Sequence, residues 1–419
     1  MKKVLLGLIL ICMILSLFVN CGKRENPVRT SYQLKEPWTL FFDFPSLQGN
    51  LISDPSVRDM YVYLPPQYNL NIHQPQLPNL GFPVLYLLHD FGEDYTAFVS
   101  IYKVAEIADK LITEKEINPM IIVMPDVSSL GLATDINKEE VGGTFYVNST
   151  LLGNYENYIT QDIMDTVETH FATVGMKVNE VWVPDKNYHA ISGHGMGGYG
   201  ALRIAMDYDT LLFSSVSAMS PYASFESFLT REIIDKVFEE NGISATDFSY
   251  ASYKKLNPWI DSSHPDKTYS QLIFSMAAAF SPHGFNDPDN TAFFSLIEIS
   301  GKKYGVDLPF DSTRNIEPGS PIWNQWLSHD IKTRLVNQPN GFANLQIYLD
   351  CGDQDQLKLY NGARAFDQLL SLYGQEHTYV EYSGYSDYPA DHNHFISDRL
   401  PEILKFHSKY FGSPLWERK

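Results

Sequence analysis

The stretch Ala190-Ile191-Ser192-Gly193-His194-Gly195-Met196-Gly197-Gly198-Tyr199-Gly200-Ala201 decides how the rest of the chain reads. A short apolar run, 189–192, has the look of a buried strand. It enters a cluster of glycines and leaves as a helical run over 201–206. Gly193 and Gly197 stand two residues before and two after the centre of the turn, where a sharply bent backbone leaves no room for side chains. A strand–turn–helix of this kind lifts its central residue above the carboxyl edge of a sheet, where α/β proteins bind ligands. That central residue is Gly195, which carries no hydroxyl, thiol or carboxylate.

Working outward, further apolar runs rich in β-branched and aromatic residues lie at 60–64, 84–89, 120–124, 214–218, 345–349 and 378–382. Runs that are apolar throughout are what a parallel sheet covered on both faces requires. Helical periods fall between them: Ile159, Ile163, Val167 and Phe171 form one apolar stripe, and 365–372 reads as another helix. The alternation predicts one doubly wound, mostly parallel α/β domain over about 36–415. The interval from about 222 to 343 breaks the rhythm with a run of Phe residues and prolines. We read it as an aromatic-rich insertion that caps the sheet's carboxyl edge; the alternative is an appendage that buries only its own aromatics.

Composition narrows the function classes. With 44% hydrophobic residues the chain can build a core, and a net charge of −19 excludes sequence-independent binding to a phosphate backbone, so no nucleic-acid partner is expected. Gly193-x-Gly195-x-x-Gly198 fits a dinucleotide fingerprint by letter but lies far from a first strand, and no cofactor is expected. Asp391-His392-Asn393-His394 offers imidazoles two apart, which is not the helical zinc spacing, so the sequence predicts no metal site there.

Residues 1–20 read as an export signal, Lys2 and Lys3 followed by an apolar stretch too short to span a bilayer. The segment ends at Cys21-Gly22 and resembles a bacterial lipoprotein signal, which implies acylation of Cys21 and a tether over 21–35. A plain signal peptide or an uncleaved anchor is the alternative. The expected location is the cell envelope, anchored to the membrane through lipid on Cys21. Cys12 leaves with the signal and Cys21 carries lipid, so Cys351 has no partner and no disulfide is expected.

From about Arg58 to Phe411 the chain resembles the esterase family of the α/β-hydrolase fold that includes esterase D (S-formylglutathione hydrolase), feruloyl esterases and mycolyltransferases. The resemblance rests on an ordered series: Val62-Tyr63-Leu64-Pro65-Pro66, Leu87-Leu88-His89-Asp90-Phe91-Gly92, Val123-Met124-Pro125-Asp126 and Gly153-Asn154-Tyr155-Glu156-Asn157-Tyr158. The glycine turn, Ala277-Ala278-Ala279-Phe280-Ser281-Pro282, Asp350-Cys351-Gly352-Asp353-Gln354-Asp355 and His392-Asn393 complete it. It implies a triad in the order Ser, Asp, His, with the nucleophile position at Gly195, the acid at Asp355 and the base at His392. Asp353 and His394 are the neighbours that could be confused with these. The implied oxyanion hole uses backbone N–H groups of Met196 and of Asp90 or Phe91, and where the family has His-Gly this chain has His89-Asp90.

Two function classes follow. One is an esterase-like protein without covalent hydrolysis that binds an ester, an acylated glycan or a protein. The other is an active ester hydrolase or acyltransferase using an unconventional nucleophile, or one whose serine is altered in this sequence. On sequence alone, Gly195→Ser is expected to restore hydrolysis, with Asp90 the residue to blame if it does not.

Overall fold

The computed structural model describes residues 38–68, 81–129, 142–178, 181–209, 211–260, 262–264, 266–283, 293–384 and 387–412. The signal, Cys21 and the tether lie outside the described residues. The main sheet has eight strands: β1 (Trp38–Asp43), β2 (Val57–Tyr63), β3 (Val84–Leu88), β4 (Ile121–Pro125), β5 (His189–His194), β6 (Ser215–Met219), β7 (Gln346–Gly352) and β8 (His377–Tyr382). Their order is β1-β2-β4-β3-β5-β6-β7-β8, with β2 reversed against both neighbours and the pairs from β4 to β8 all parallel. All seven runs marked as strands in the sequence are strands. The added one is β1, whose run Trp38-Thr39-Leu40-Phe41-Phe42 was not among those marked.

Period-2 geometry splits each strand between two cores. Val84, Tyr86 and Leu88 of β3 join one, together with Ile121 and Val123 of β4. Leu85, Leu87, Ile122 and Met124 join the other, under the helices α1 (Val104–Thr113) and α5 (Ile396–Tyr410). The sheet is therefore covered on both faces, as the unbroken apolar runs required. The stripe Ile159, Ile163, Val167 and Phe171 is buried, but its helical stretch contains a π segment, Tyr158–Ile163. A four-residue repeat drifts about 40° per step around an α-helix, and a wider turn offsets part of that drift.

The strand order reverses between β3 and β5. The chain leaves β3 for β4 on one side and leaves β5 for β6 on the other, so the loops after β3 and β5 part at a topological switch point. Asp90 lies just beyond β3 and Gly195 just beyond β5. Between β6 and β7 come the helices Arg231–Glu240, α3 (Thr268–Phe280), Pro321–His329 and Ile331–Asn337, with a small antiparallel ribbon. Its aromatics do not pack only on one another. Phe225 and Phe280 lie 5.7 Å from the Tyr199 ring on α2 (Met196–Asp207), and Phe280 lies 5.3 Å from Phe145. The insertion thereby rests on the helix that follows the glycine turn.

Candidate active site

Gly195 turns β5 into α2 with φ +52° and ψ −111°, a conformation that costs an L side chain on the order of 1–3 kcal/mol. The turn is held by Gly195 N–H donating to the Met219 carbonyl at 2.9 Å. A Cβ on Gly193 would overlap the Gly197 backbone, and one on Gly197 would overlap the Leu88 carbonyl. Both small residues are thus required by contact between α2, β5 and β3.

The space above Gly195 is filled from elsewhere. A Cβ built on Gly195 would lie 2.5 Å from Asp90 Oδ2 and closer still to Oδ1 and Cγ. Asp90 Oδ1 accepts the Met196 N–H at 2.6 Å, and Oδ2 lies 2.8 Å from His392 Nε2. His392 Nδ1 lies 2.8 Å from Asp355 Oδ2, while Asp355 Oδ1 accepts the Leu357 N–H at 2.8 Å. The order is carboxylate, imidazole, carboxylate, with Asp90 standing where a serine oxygen would otherwise reach the imidazole. The absent side chain at 195 and the carboxylate at 90 are complementary, since one fills the space the other leaves.

Gly195, His392 and Asp355 therefore come together, and the two rival residues do not. His394 is half exposed and paired with Asp391 at 2.7 Å; Asp353 accepts from Ser383 Oγ at 2.6 Å. Of the expected oxyanion donors, Met196 N–H is occupied by Asp90 Oδ1, and Asp90 N–H donates to Glu93 Oε2 at 3.2 Å. Phe91 is half-buried, its ring beside Gly143. The resemblance implied a backbone N–H from Asp90 or Phe91; here the Asp90 side chain is the central group of the site.

His194, the last residue of β5, is fully buried beside this chain of groups. Its Nε2 lies 2.9 Å from the His392 carbonyl, which can only accept, so Nε2 carries the proton. Its Nδ1 lies 3.7 Å from Asp90 Oδ2 and has no hydrogen-bond partner.

Burial acts on every group here. It pushes the Asp90 carboxyl up, but His392 and His194 outweigh it and hold Asp90 down at about 2. Burial opposes charge on His392, yet Asp355 and Asp90 raise it to about 10. Burial dominates at His194 and lowers it to about 3. The two carboxyl groups thus hold His392 towards its protonated form. A base that is already protonated takes no proton from a nucleophile.

A strand–turn–helix at the switch point, with an Asp and a His delivered in that order from beyond β7 and β8, defines an α/β-hydrolase. Within that fold the chain belongs to the Putative esterase family, whose model matches residues 55–403. A ferulic acid esterase superposes with TM-score 0.51 at 19% identity, covering 90% of this chain and 98% of its own. An S-formylglutathione hydrolase from Agrobacterium tumefaciens superposes with TM-score 0.51 at 17% identity, covering 92% and 99%. An endo-1,4-beta-xylanase/feruloyl esterase from Xylanibacter ruminicola is 29% identical over 137 residues. That match takes in 33% of this chain and only 16% of the relative.

Proposed function

We propose that this chain is an exported, lipid-anchored member of the esterase family that no longer performs covalent ester hydrolysis and binds an ester or acylated-glycan ligand in the frame of the old site. The observation that carries this reading is the Asp90 carboxylate, which fills the nucleophile's space and the Met196 N–H at once. Losing the nucleophile of a triad hydrolase costs roughly 10⁶-fold in turnover. Here the residual contribution of the oxyanion hole is also blocked. The partial similarity to an endo-1,4-beta-xylanase/feruloyl esterase supports a feruloyl ester as the ligand class. A protein ligand is the further member of this reading.

The test is direct. The protein should show no burst or turnover with short p-nitrophenyl or methyl ferulate esters and no labelling by a serine-directed phosphonate. Turnover in the wild type that Asp90→Asn abolishes would replace this reading with the second one, an active hydrolase whose unconventional nucleophile is the Asp90 carboxylate. What favours that alternative is the position of Asp90, hydrogen-bonded to an oxyanion donor and adjoining a His–Asp pair. Turnover that survives Asp90→Asn and His392→Ala would sink both.

The location is tested separately. The protein expressed in a lipoprotein-processing bacterium should fractionate with membranes and incorporate labelled palmitate. Cys21→Ser should abolish the label and release the processed chain or leave it with its signal attached. A wild type recovered soluble and unlabelled after export would rule out the lipid anchor.

A further inference from the structure

We propose that Asp90, His194 and His392 form a binding site for one divalent transition-metal ion of the zinc type, through Asp90 Oδ2, His194 Nδ1 and His392 Nε2. One ligand atom from each of the three residues lies within 4.8 Å of the other two, and all three residues are buried. Asp90 Oδ2 is 2.8 Å from His392 Nε2 and 3.7 Å from His194 Nδ1. Donors around a tetrahedral zinc stand about 3.3 Å apart for bonds near 2.0–2.1 Å. Both carboxylate–imidazole spacings are within about half an ångström of that value.

The outer atoms of the same groups are already tied down. His392 Nδ1 is on Asp355, His194 Nε2 donates to the His392 carbonyl, and Asp90 Oδ1 accepts the Met196 N–H. Metal-ligating imidazoles are oriented in this way, each with its second nitrogen on a carboxylate or a carbonyl. The tautomer this imposes on His194 leaves a lone pair on Nδ1, buried, without a hydrogen-bond partner, and facing a carboxylate oxygen. Two electron-rich atoms out of water at that separation lack an electropositive group between them. A proton shared by His392 and Asp90 does not reach His194; a metal ion reaches all three and displaces that proton from His392 Nε2 to solvent. With two imidazole nitrogens and one carboxylate oxygen, the donor set suits zinc, cobalt or nickel and disfavours calcium and magnesium, which take oxygen ligands. No local motif reveals the site, because its ligands lie more than a hundred residues apart in sequence.

The experiment uses the untagged full-length protein in detergent, stripped with chelator and dialysed against zinc or cobalt. One equivalent of zinc should be retained, measured by elemental mass spectrometry, and cobalt should give a visible d–d absorption band. His194→Ala and Asp90→Asn should each weaken binding by about 100-fold or more. His394→Ala, which removes the neighbouring half-exposed imidazole, should leave it unchanged. Absence of stoichiometric retention, or retention unaltered in either ligand variant, overturns the site. If His194→Ala fails to fold by circular dichroism, Asp90→Asn and the wild-type cobalt spectrum decide. Metal retention is read without any ester substrate, so its failure leaves the functional reading above standing, and the reverse holds too.

Discussion

Gly195→Ser alone will remain unreactive towards a serine-directed phosphonate and will lose stability, whereas Asp90→Gly/Gly195→Ser will be labelled and will hydrolyse p-nitrophenyl acetate. The difference comes from one carboxylate. A Cβ at 195 collides with Asp90, so a lone serine must expel Asp90 from the Met196 N–H and from His392, or distort the turn. Removing the Asp90 side chain opens the space for Cβ and Oγ, frees the oxyanion donor, and leaves His392 held by Asp355 alone. The double variant then carries a glycine at 90 beside a serine at 195, the arrangement the resemblance implies for the family. Given the roughly 10⁶-fold cost of a missing nucleophile, turnover at least about 10³-fold above wild type is the expected outcome even with imperfect alignment. His392→Ala in the double variant should abolish it. The idea fails if Gly195→Ser alone matches the double variant, or if the double variant is folded, measured by its unfolding midpoint, and still inert.

This revises the expectation drawn from the sequence, and the reason is physical. The central strands were legible because they are buried on both faces, so their runs are nearly unbroken, whereas β2 and β8 are partly exposed and were legible from their β-branched and aromatic residues. Gly193 and Gly197 were legible because close packing admits nothing larger. The His392–Asp355 pairing followed from motif order, and His392 rather than His394 became decidable only once burial was seen. The role of Asp90 could not be read, because a loop residue's backbone position says nothing about where its carboxylate turns. The departure itself was visible, Asp where the family has Gly, but that it answers the departure at 195 depends on β3 and β5 being adjacent. Adjacency of strands distant in sequence is a property of the sheet order. The same holds for His194, whose partners come from the loops after β3 and β8. The strand β1 was missed although Trp38-Thr39-Leu40-Phe41-Phe42 is rich in the residues strands favour.

Arg399→Met should cost roughly 3–5 kcal/mol at pH 8, the cost of leaving a buried charge without its partner. Arg399, on α5, places Nε 3.0 Å from Asp350 Oδ1 on β7, bonds the same oxygen through a terminal nitrogen, and lies 4.8 Å from the Tyr382 ring. Both charged groups are buried, and burial already raises the Asp350 carboxyl above its ordinary value while Arg399 pulls against it. Without Arg399 that carboxyl rises further. A carboxyl raised in the folded state stabilises at low pH and loses that contribution as pH climbs towards its folded value, so the deficit against wild type should be larger at pH 8 than at pH 5. Urea midpoints at the two pH values measure it. Arg399→Met/Asp350→Leu should recover most of the loss, since an apolar pair replaces a buried ion pair at little net cost. A single-variant cost below about 1 kcal/mol at pH 8, or a double variant no better than the single, would contradict this account. The pair also bears on the site. Asp355 follows β7 directly and α5 begins just after His392, so Arg399–Asp350 ties together the two segments that hold the His–Asp pair. In the Asp90→Gly/Gly195→Ser protein, Arg399→Met should therefore lower kcat with little change in KM, as expected of a positioning residue that touches no substrate.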